Sequence, residues 1–333
     1  MPNEITKVLD LITPEQYTKY TNYYSEQHSA FIQSGILTNQ PSLDQMIING
    51  GLLVTMPEFK QTQLEDQVLE EDKAIETGKT QAAKQVAPVL YRGTGASYTD
   101  LSAIISGAKP ATQLLNDFGD YTIQSDQAIL QAIVNAMFDP TSGALKDTHV
   151  SDQSAIQNPV ISPEMVIDAQ SILGTSRSKL TLIAMHSKVK AELQKQNVQT
   201  KNYIPASESQ VGFDTYLGMR VVEDDSLLPK EGVYSTYIYA TGAFGRNTAT
   251  PNDMITFETD RDVAKGNNML YVRRARVLHP QGLTFNNTSV SSQTPTNTDL
   301  ANPTNWSKVR EDKKIGIICL KHRISAEIPV VGD

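Results

Sequence analysis

An α+β fold is predicted for this chain, with a compact α/β unit, one long helix and a set of long strands. Three observations predict it. The apolar run Leu180–Met185 leads straight into Ser187–Gln196, where Val189 and Leu193 keep helical spacing, and a new strand begins at Met219. From Ala111 to Phe138, apolar residues recur on adjacent helical rows, among them Ile129, Ile133 and Met137 at i, i+4 and i+8. Strand-like runs then follow at Tyr234–Tyr239, Ile255–Asp262 and Tyr271–Phe285, with Gly242 to Gly245 breaking the first from the second.

Composition narrows the function classes. The chain has 333 residues, enough for one large or two medium domains. Hydrophobic residues at 39% and charged ones at 20% make an ordinary globular balance. Twenty-nine basic against 37 acidic side chains leave a net charge of -8, and without a basic tract such a chain grips nucleic-acid phosphates poorly. Cys319 is the single cysteine, so no intrachain disulfide forms and a reducing compartment fits. The sequons at Asn286, Asn287 and Asn305 then carry little meaning. No apolar run reaches membrane-spanning length and the N-terminus has no signal-peptide pattern, so the expectation is a soluble protein made in a cytosol, with no membrane partner.

The elements are justified in order. Thr13 as N-cap, Pro14 at the first helical position and Gln16 as the reciprocal cap start a helix that carries Tyr17, Tyr20, Tyr23 and Tyr24 and ends near Ser34-Gly35. It reads equally as an amphipathic helix or as part of an arm lying on a neighbour. Gly50–Pro57 is a strand between breakers. Glu58 to Lys84 is polar, with Glu65, Asp66, Glu70, Glu71, Asp72 and Glu76, and buries little by itself. Ala87–Arg92 reads as a short strand, Gly93 and Gly95 as a turn, and Tyr98–Ile105 as a helix. The long helix follows and Asp139-Pro140 stops it.

Thr141–Asn158 reads as a loop. Ser162 caps a helix with Pro163 at its first position and Glu164 at the positive dipole end; Met165, Ile167, Ala169 and Ile172 supply contacts and Gly174 the left-handed exit. The segment Asn286–Asn305, rich in Ser, Thr, Asn and Pro, reads as an exposed loop. Lys314–Leu320 reads as a strand inside a sheet. No internal repeat is present.

Motif tests exclude most chemistry. Asp117-Phe118-Gly119 spells a kinase metal motif but lies within a helical pattern, with neither a catalytic loop nor a phosphate-covering loop. Gly93-Thr94-Gly95 lacks the third glycine of a dinucleotide site. His28, His149, His186, His279 and His322 have no metal-ligand spacing, and His186 suits a capping or packing role. Glu223-Asp224-Asp225 reads as a solvated strand end, since neighbours on a strand face opposite ways. No catalytic, cofactor or metal residue is therefore expected. More informative are Glu258, Asp260 and Asp262 on one run and Arg273, Arg274 and Arg276 on the next, with Gly266-Asn267-Asn268 between. Paired strands would set an acidic row near a basic one. Ion pairing within one subunit and complementary contact between neighbours both remain open.

The order of LTLIAMHSKVKAELQKQ, TYLGMRVVEDDS, YIYATGAFG and ETDRDVAKGNNMLYVRRARVLHPQGLTF resembles the major capsid proteins of tailed bacteriophages, the Hong Kong 97-like fold. It covers roughly the last two-thirds of the chain and is weaker before Tyr91. The resemblance implies an N-terminal arm at 1–50 and an extended hairpin loop at 51–90, reaching over the adjacent subunit. A peripheral domain with a spine helix would span 91–158, an axial domain 159–250, and long peripheral strands 251–286. The stretch 287–333 would be a loop and a last strand returning to a discontinuous axial domain. It further implies pentamers and hexamers in an icosahedral shell that encloses double-stranded DNA without sequence-specific binding, in a virion assembled in the host cytoplasm. Scaffolding, portal and decoration proteins are the implied partners. No long charged helical domain precedes Ala87, which points to a separate scaffolding protein. Glu70, Glu71 and Lys73 join the strand charges as candidate inter-subunit contacts. Lys73, Lys79 and Lys84 are the lysines available for covalent cross-linking, and nothing marks any of them for it. Two other readings are an encapsulin-type compartment shell and a soluble α/β enzyme with a site at the loops after Met185 and Asp225.

Overall fold

Two large β-sheets share one long helix, and a small two-stranded sheet pairs Leu283–Phe285 with Trp306–Lys308. The computed structural model describes residues 30–40, 47–59, 66–68, 74–77, 82–106, 110–200, 203–204, 214–287, 290 and 292–327. The helix start at Thr13 and most of the acidic segment lie outside the described residues.

In the first part of the chain are α1 (Ala30–Ser34), β1 (Leu37–Asn39), β2 (Leu53–Phe59), β3 (Ala82–Thr99), α2 (Asp100–Ser106), α3 (Pro110–Met137), β4 (Val150–Asp152) and α4 (Pro163–Ser171). The middle holds β5 (Leu180–Met185), α5 (Ser187–Thr200), β6 (Tyr203–Ile204), β7 (Thr215–Tyr216), β8 (Met219–Glu223) and β9 (Tyr234–Ala240). Then come β10 (Phe244–Ala249), β11 (Phe257–Asp262), β12 (Asn267–Pro280), β13 (Leu283–Phe285), α6 (Asn297–Leu300), β14 (Trp306–Lys308) and β15 (Ile317–His322).

The first sheet runs β1-β10-β12-β3-β2, with β11 also paired to β12. Its axis is the fourteen-residue β12, which binds β3 along one edge and β11 then β10 along the other. The second sheet runs β4-β15-β9-β5-β8-β7-β6. Its β5 and β8 are parallel, so the chain must cross over between them, and α5 lies in that crossover. The β7–β8 hairpin closes on Leu217-Gly218, both with positive φ (51° and 80°), as a tight two-residue turn requires. As expected, β15 sits inside this sheet, between β4 and β9, and so comes from far along the chain to complete it.

The 28-residue α3, about 42 Å long at 1.5 Å per residue, packs differently along its length. Near its start, Phe118 joins Phe257, Leu270 and Val272 of the first sheet. Its second half buries Ile129, Ile133 and Met137 in a core that also takes Phe244 and Leu278 from the first sheet and Leu182, Tyr239 and Ile317 from the second. The opposite face of the second sheet is covered by α4 and α5 through Met165, Val166, Val189 and Leu193. Ser162 caps α4 by accepting from the Met165 amide at 3.4 Å, and Gly174 is left-handed (φ +55°).

Several expectations need correction. Gly93 and Gly95 form no turn and Ala87–Arg92 is no short strand: all lie within the eighteen residues of β3, opposite Arg273 and Tyr271. The glycines are there because the cross-strand neighbours lie over them; a Cβ on Gly95 would fall 2.8 Å from the Tyr271 ring. Helix α2 begins at Asp100, with Tyr98 still in the strand. The expected loop 141–158 contains β4 and buries Leu145 and His149. The segment after Asn286 folds as well: Thr296 and Asp299 make a full capping box on α6, and Leu300 and Asn305 are fully buried. Ile167 faces outward rather than into the core. Phe244, read as part of a break, begins β10.

Candidate assembly surfaces

Register decides where the strand charges go. Glu258 sits opposite Tyr271, Asp260 opposite Met269 and Asp262 opposite Asn267, so these carboxylates share the outer face of β11–β12. Arg273, two residues from Tyr271, shares that face and pairs with Glu258, both partners well exposed. Arg274 and Arg276 fall on the other face. This corrects the expected apposition of an acidic row with Arg274 and Arg276: only Arg273 stands beside the acids, because side chains alternate along β12.

The inner face holds a charged cluster under α3. Arg276 is 2% exposed, ion-pairs with Asp126 and donates to the Ser125 hydroxyl at 2.5 Å. Arg246 of β10 reaches the second oxygen of the same carboxylate at 3.4 Å. Arg274 lies 5.7 Å from the centre of the Tyr121 ring. Arg92 of β3 donates to the Pro295 carbonyl, and burial lowers its pKa. Arg274 and Arg276 are thus spent inside the chain. Asp126, Arg246 and Arg92 escaped the sequence reading. One signal did exist: Ser125-Asp126 is a polar pair between the apolar rows of α3.

At the far end of the first sheet, Arg261 pairs with Asp100 at 2.7 Å and Asn268 donates to the same carboxylate at 2.7 Å, fastening the β11–β12 turn to the start of α2. Beyond it Leu101, Ile104, Ile105 and Val263 are strongly exposed. Glu70, Glu71 and Lys73 lie outside the described residues.

The remaining polar motifs serve structure. His186 accepts from the Lys188 amide at 3.1 Å and Asp225 from the Ser187 amide at 3.2 Å, both at the start of α5. The expected solvated end at Glu223-Asp224-Asp225 holds for two members only. Asp224 is buried and accepts from Gln127 at 2.5 Å and the Ser226 amide at 3.0 Å, while Glu223 pairs with Lys190 at 2.8 Å. Among the described residues no three His, Cys, Asp or Glu side chains converge on a metal-sized site. Asp117 and Phe118 lie in α3, Phe118 in the core. Burial pushes His279 and His322 down to about 4 and the Cys319 thiol up to about 12. Among the described residues no helix is long and apolar enough to cross a membrane.

Comparison with known proteins agrees with this architecture. Residues 98–316 match the family model of Gp13-like proteins, described as major capsid protein 13-like. The major capsid protein of Bacillus phage SPP1 is 32% identical over 329 residues, covering 96% of this chain and 99% of that protein. Among solved structures, the capsid of Ralstonia phage GP4 superposes with a TM-score of 0.61 at 8% identity, over 90% of this chain and 92% of that one. The capsid of a native GTA particle gives 0.53 at 14% identity, over 97% and 94%. The two sheets joined by α3 are therefore the Hong Kong 97-like capsid fold, and the chain belongs to the phage major capsid protein family, a component of the virion shell.

Proposed function

We propose that many copies of this chain close into an icosahedral head around double-stranded DNA, through pentamers and hexamers, and that the chain performs no catalytic step. The carrying observation is the near-full-length relation to a phage major capsid protein. In this reading the first sheet with α3 is the peripheral domain and the second sheet the discontinuous axial domain. The β2–β3 hairpin begins the extended loop, and residues 1–50 contribute the arm. The partners are a separate scaffolding protein, a portal and decoration proteins. DNA is enclosed without sequence-specific contacts, in keeping with the acidic balance. A closed shell needs one chain to meet itself through several non-identical contacts. Glu258, Asp260, Asp262 and Arg273, outward on one strand pair, suit such contacts, as do Glu70, Glu71 and Lys73 on the hairpin segment. Exposed pairs are weak and salt-screened, which favours reversible register over tight locking. The compartment-shell and enzyme readings have no observation of their own in their favour.

Negative-stain electron microscopy with light scattering, with and without a scaffolding partner, tests the proposal. Closed shells or rings of five and six subunits are expected; a strictly monomeric or dimeric species under all conditions overturns it.

A further inference from the structure

A cleft of about 520 Å³ opens where the 3-10 turn Gly174–Lys179, the turn after β9 and the 3-10 turn Asp312–Lys314 meet. Lys179, Arg310, Lys313 and Lys314 line it, together with Thr181 and Thr241, whose hydroxyls are 2.8 Å apart. Among the described residues its lining contains no carboxylate. Four cations converge here in a chain whose net charge is -8. The cations at its rim already take carboxylates. Arg310 pairs with Glu58, at the loop end of the β2–β3 ladder, and Lys314 with Glu311 at 3.3 Å. Lys179 and Lys313 line the cleft and are exposed.

The sequence contains a matching segment. Residues 65–76 hold Glu65, Asp66, Glu70, Glu71, Asp72 and Glu76 against Lys73 alone, so six acids less one base give -5 within twelve residues. So dense a run of like charge repels itself and is relieved by a cationic surface. We infer that the cleft receives the acidic stretch 65–76 of a second copy of this chain. The inference rests on the shell reading, which supplies identical neighbours, and it names the surface that one neighbour offers another. Glu58 already fills the contact that the hairpin makes with its own chain at Arg310, leaving Lys179 and Lys313 for the neighbour's carboxylates. The bonds would be charge-assisted, from ammonium to carboxylate, each weak where exposed but selective as a set.

A direct binding measurement separates this inference from the shell reading. A labelled peptide of residues 60–81 is titrated into full-length protein kept dilute and unassembled, so that no neighbour fills the cleft, and followed by fluorescence anisotropy, with a double-stranded oligonucleotide titrated in parallel. Saturable peptide binding is expected, weakened at least about tenfold by Lys179→Glu with Lys313→Glu and by about 0.5 M salt. A melting curve checks that this variant is folded. No peptide binding, equal binding by the variant, or binding of the oligonucleotide alone overturns the inference whether or not shells form.

Assembly supplies the second readout. The variant, and separately Glu70→Lys with Glu71→Lys, should each lose shell yield by light scattering. An equal mixture of the two should recover it, because a reversed cleft then meets a reversed stretch on its neighbour. Recovery only when all four changes share one chain would place the contact within a subunit and overturn the inference.

Discussion

Arg273 and Arg276 stand three residues apart on one strand and face opposite worlds. Arg273 meets Glu258 on the outer face, with side chains 47% and 39% exposed. Arg276, 2% exposed, meets Asp126 beneath α3, and Arg246 shares that carboxylate. Water competes for the outer pair and lowers its worth, whereas among the described residues the inner guanidinium gives its charge to Asp126 and its hydrogen bonds to Asp126 and Ser125. The same chemistry is adjustable on one face and obligatory on the other.

Breaking the inner side should produce the largest effect. Asp126→Ala leaves the buried Arg276 guanidinium without its carboxylate and takes a carboxylate from Arg246, and should cost about 3–5 kcal/mol, read as a fall in urea midpoint of the unassembled protein. A loss below about 1 kcal/mol would mean that water reaches the cluster.

Acid should expose a second consequence of burial. Unlike Arg276, His279 and His322 have hydroxyl and carbonyl partners rather than a carboxylate: His279 donates to the Leu283 carbonyl at 2.9 Å, and His322 lies 2.8 Å from the Thr236 hydroxyl. Their folded pKa values, about 4, lie below the unfolded value of about 6.5. The unfolded chain therefore binds more protons in between. Stability from this source is complete above pH 6.5 and declines as pH falls towards 4, by about 1.4 kcal/mol per pH unit per histidine. His322→Gln should roughly halve that slope in urea midpoints measured at successive pH values; an unchanged slope would assign it to other groups.

The outer pair sharpens the contrast from the weak side. Arg273→Ala should change subunit stability by less than about 1 kcal/mol, with a coupling to Glu258→Ala that shrinks as salt rises. A salt-independent coupling would make this pair behave like the inner one. The smallest effect is expected at Gly95→Ala. The new methyl meets the Tyr271 ring at 2.8 Å, but Tyr271 is partly exposed and can swing outward, so about 1 kcal/mol or less is lost. Tyr271→Ala in the same chain should remove that loss.

Periodicity and caps made much of this fold legible. The α3 rows, the Ser162 cap and the Leu180-to-Met219 unit each followed from local rules. The misses share a cause: local rules read glycine as a breaker and Ser/Thr/Asn-rich sequence as loop, and tertiary pairing overrode both. Gly93 and Gly95 stay extended because β12 binds β3 across them. Asn305 is buried because its amide reaches the Asp299 carbonyl at 2.9 Å. The faces of Arg274 and Arg276 could not be fixed without the register of β11, and nothing in α3 alone says that Asp126 will meet residues 150 positions away.

One consequence follows from the place of β15 in the second sheet. Until residue 322 has emerged from the ribosome, β9 has β5 on one side but lacks β15 on the other, and β4, translated some 165 residues earlier, lacks the strand it pairs with. The second sheet, and through α3 the core it shares with the first, stays unfinished for most of translation. Only a polypeptide synthesised through β15 can therefore hold the second sheet in its completed order.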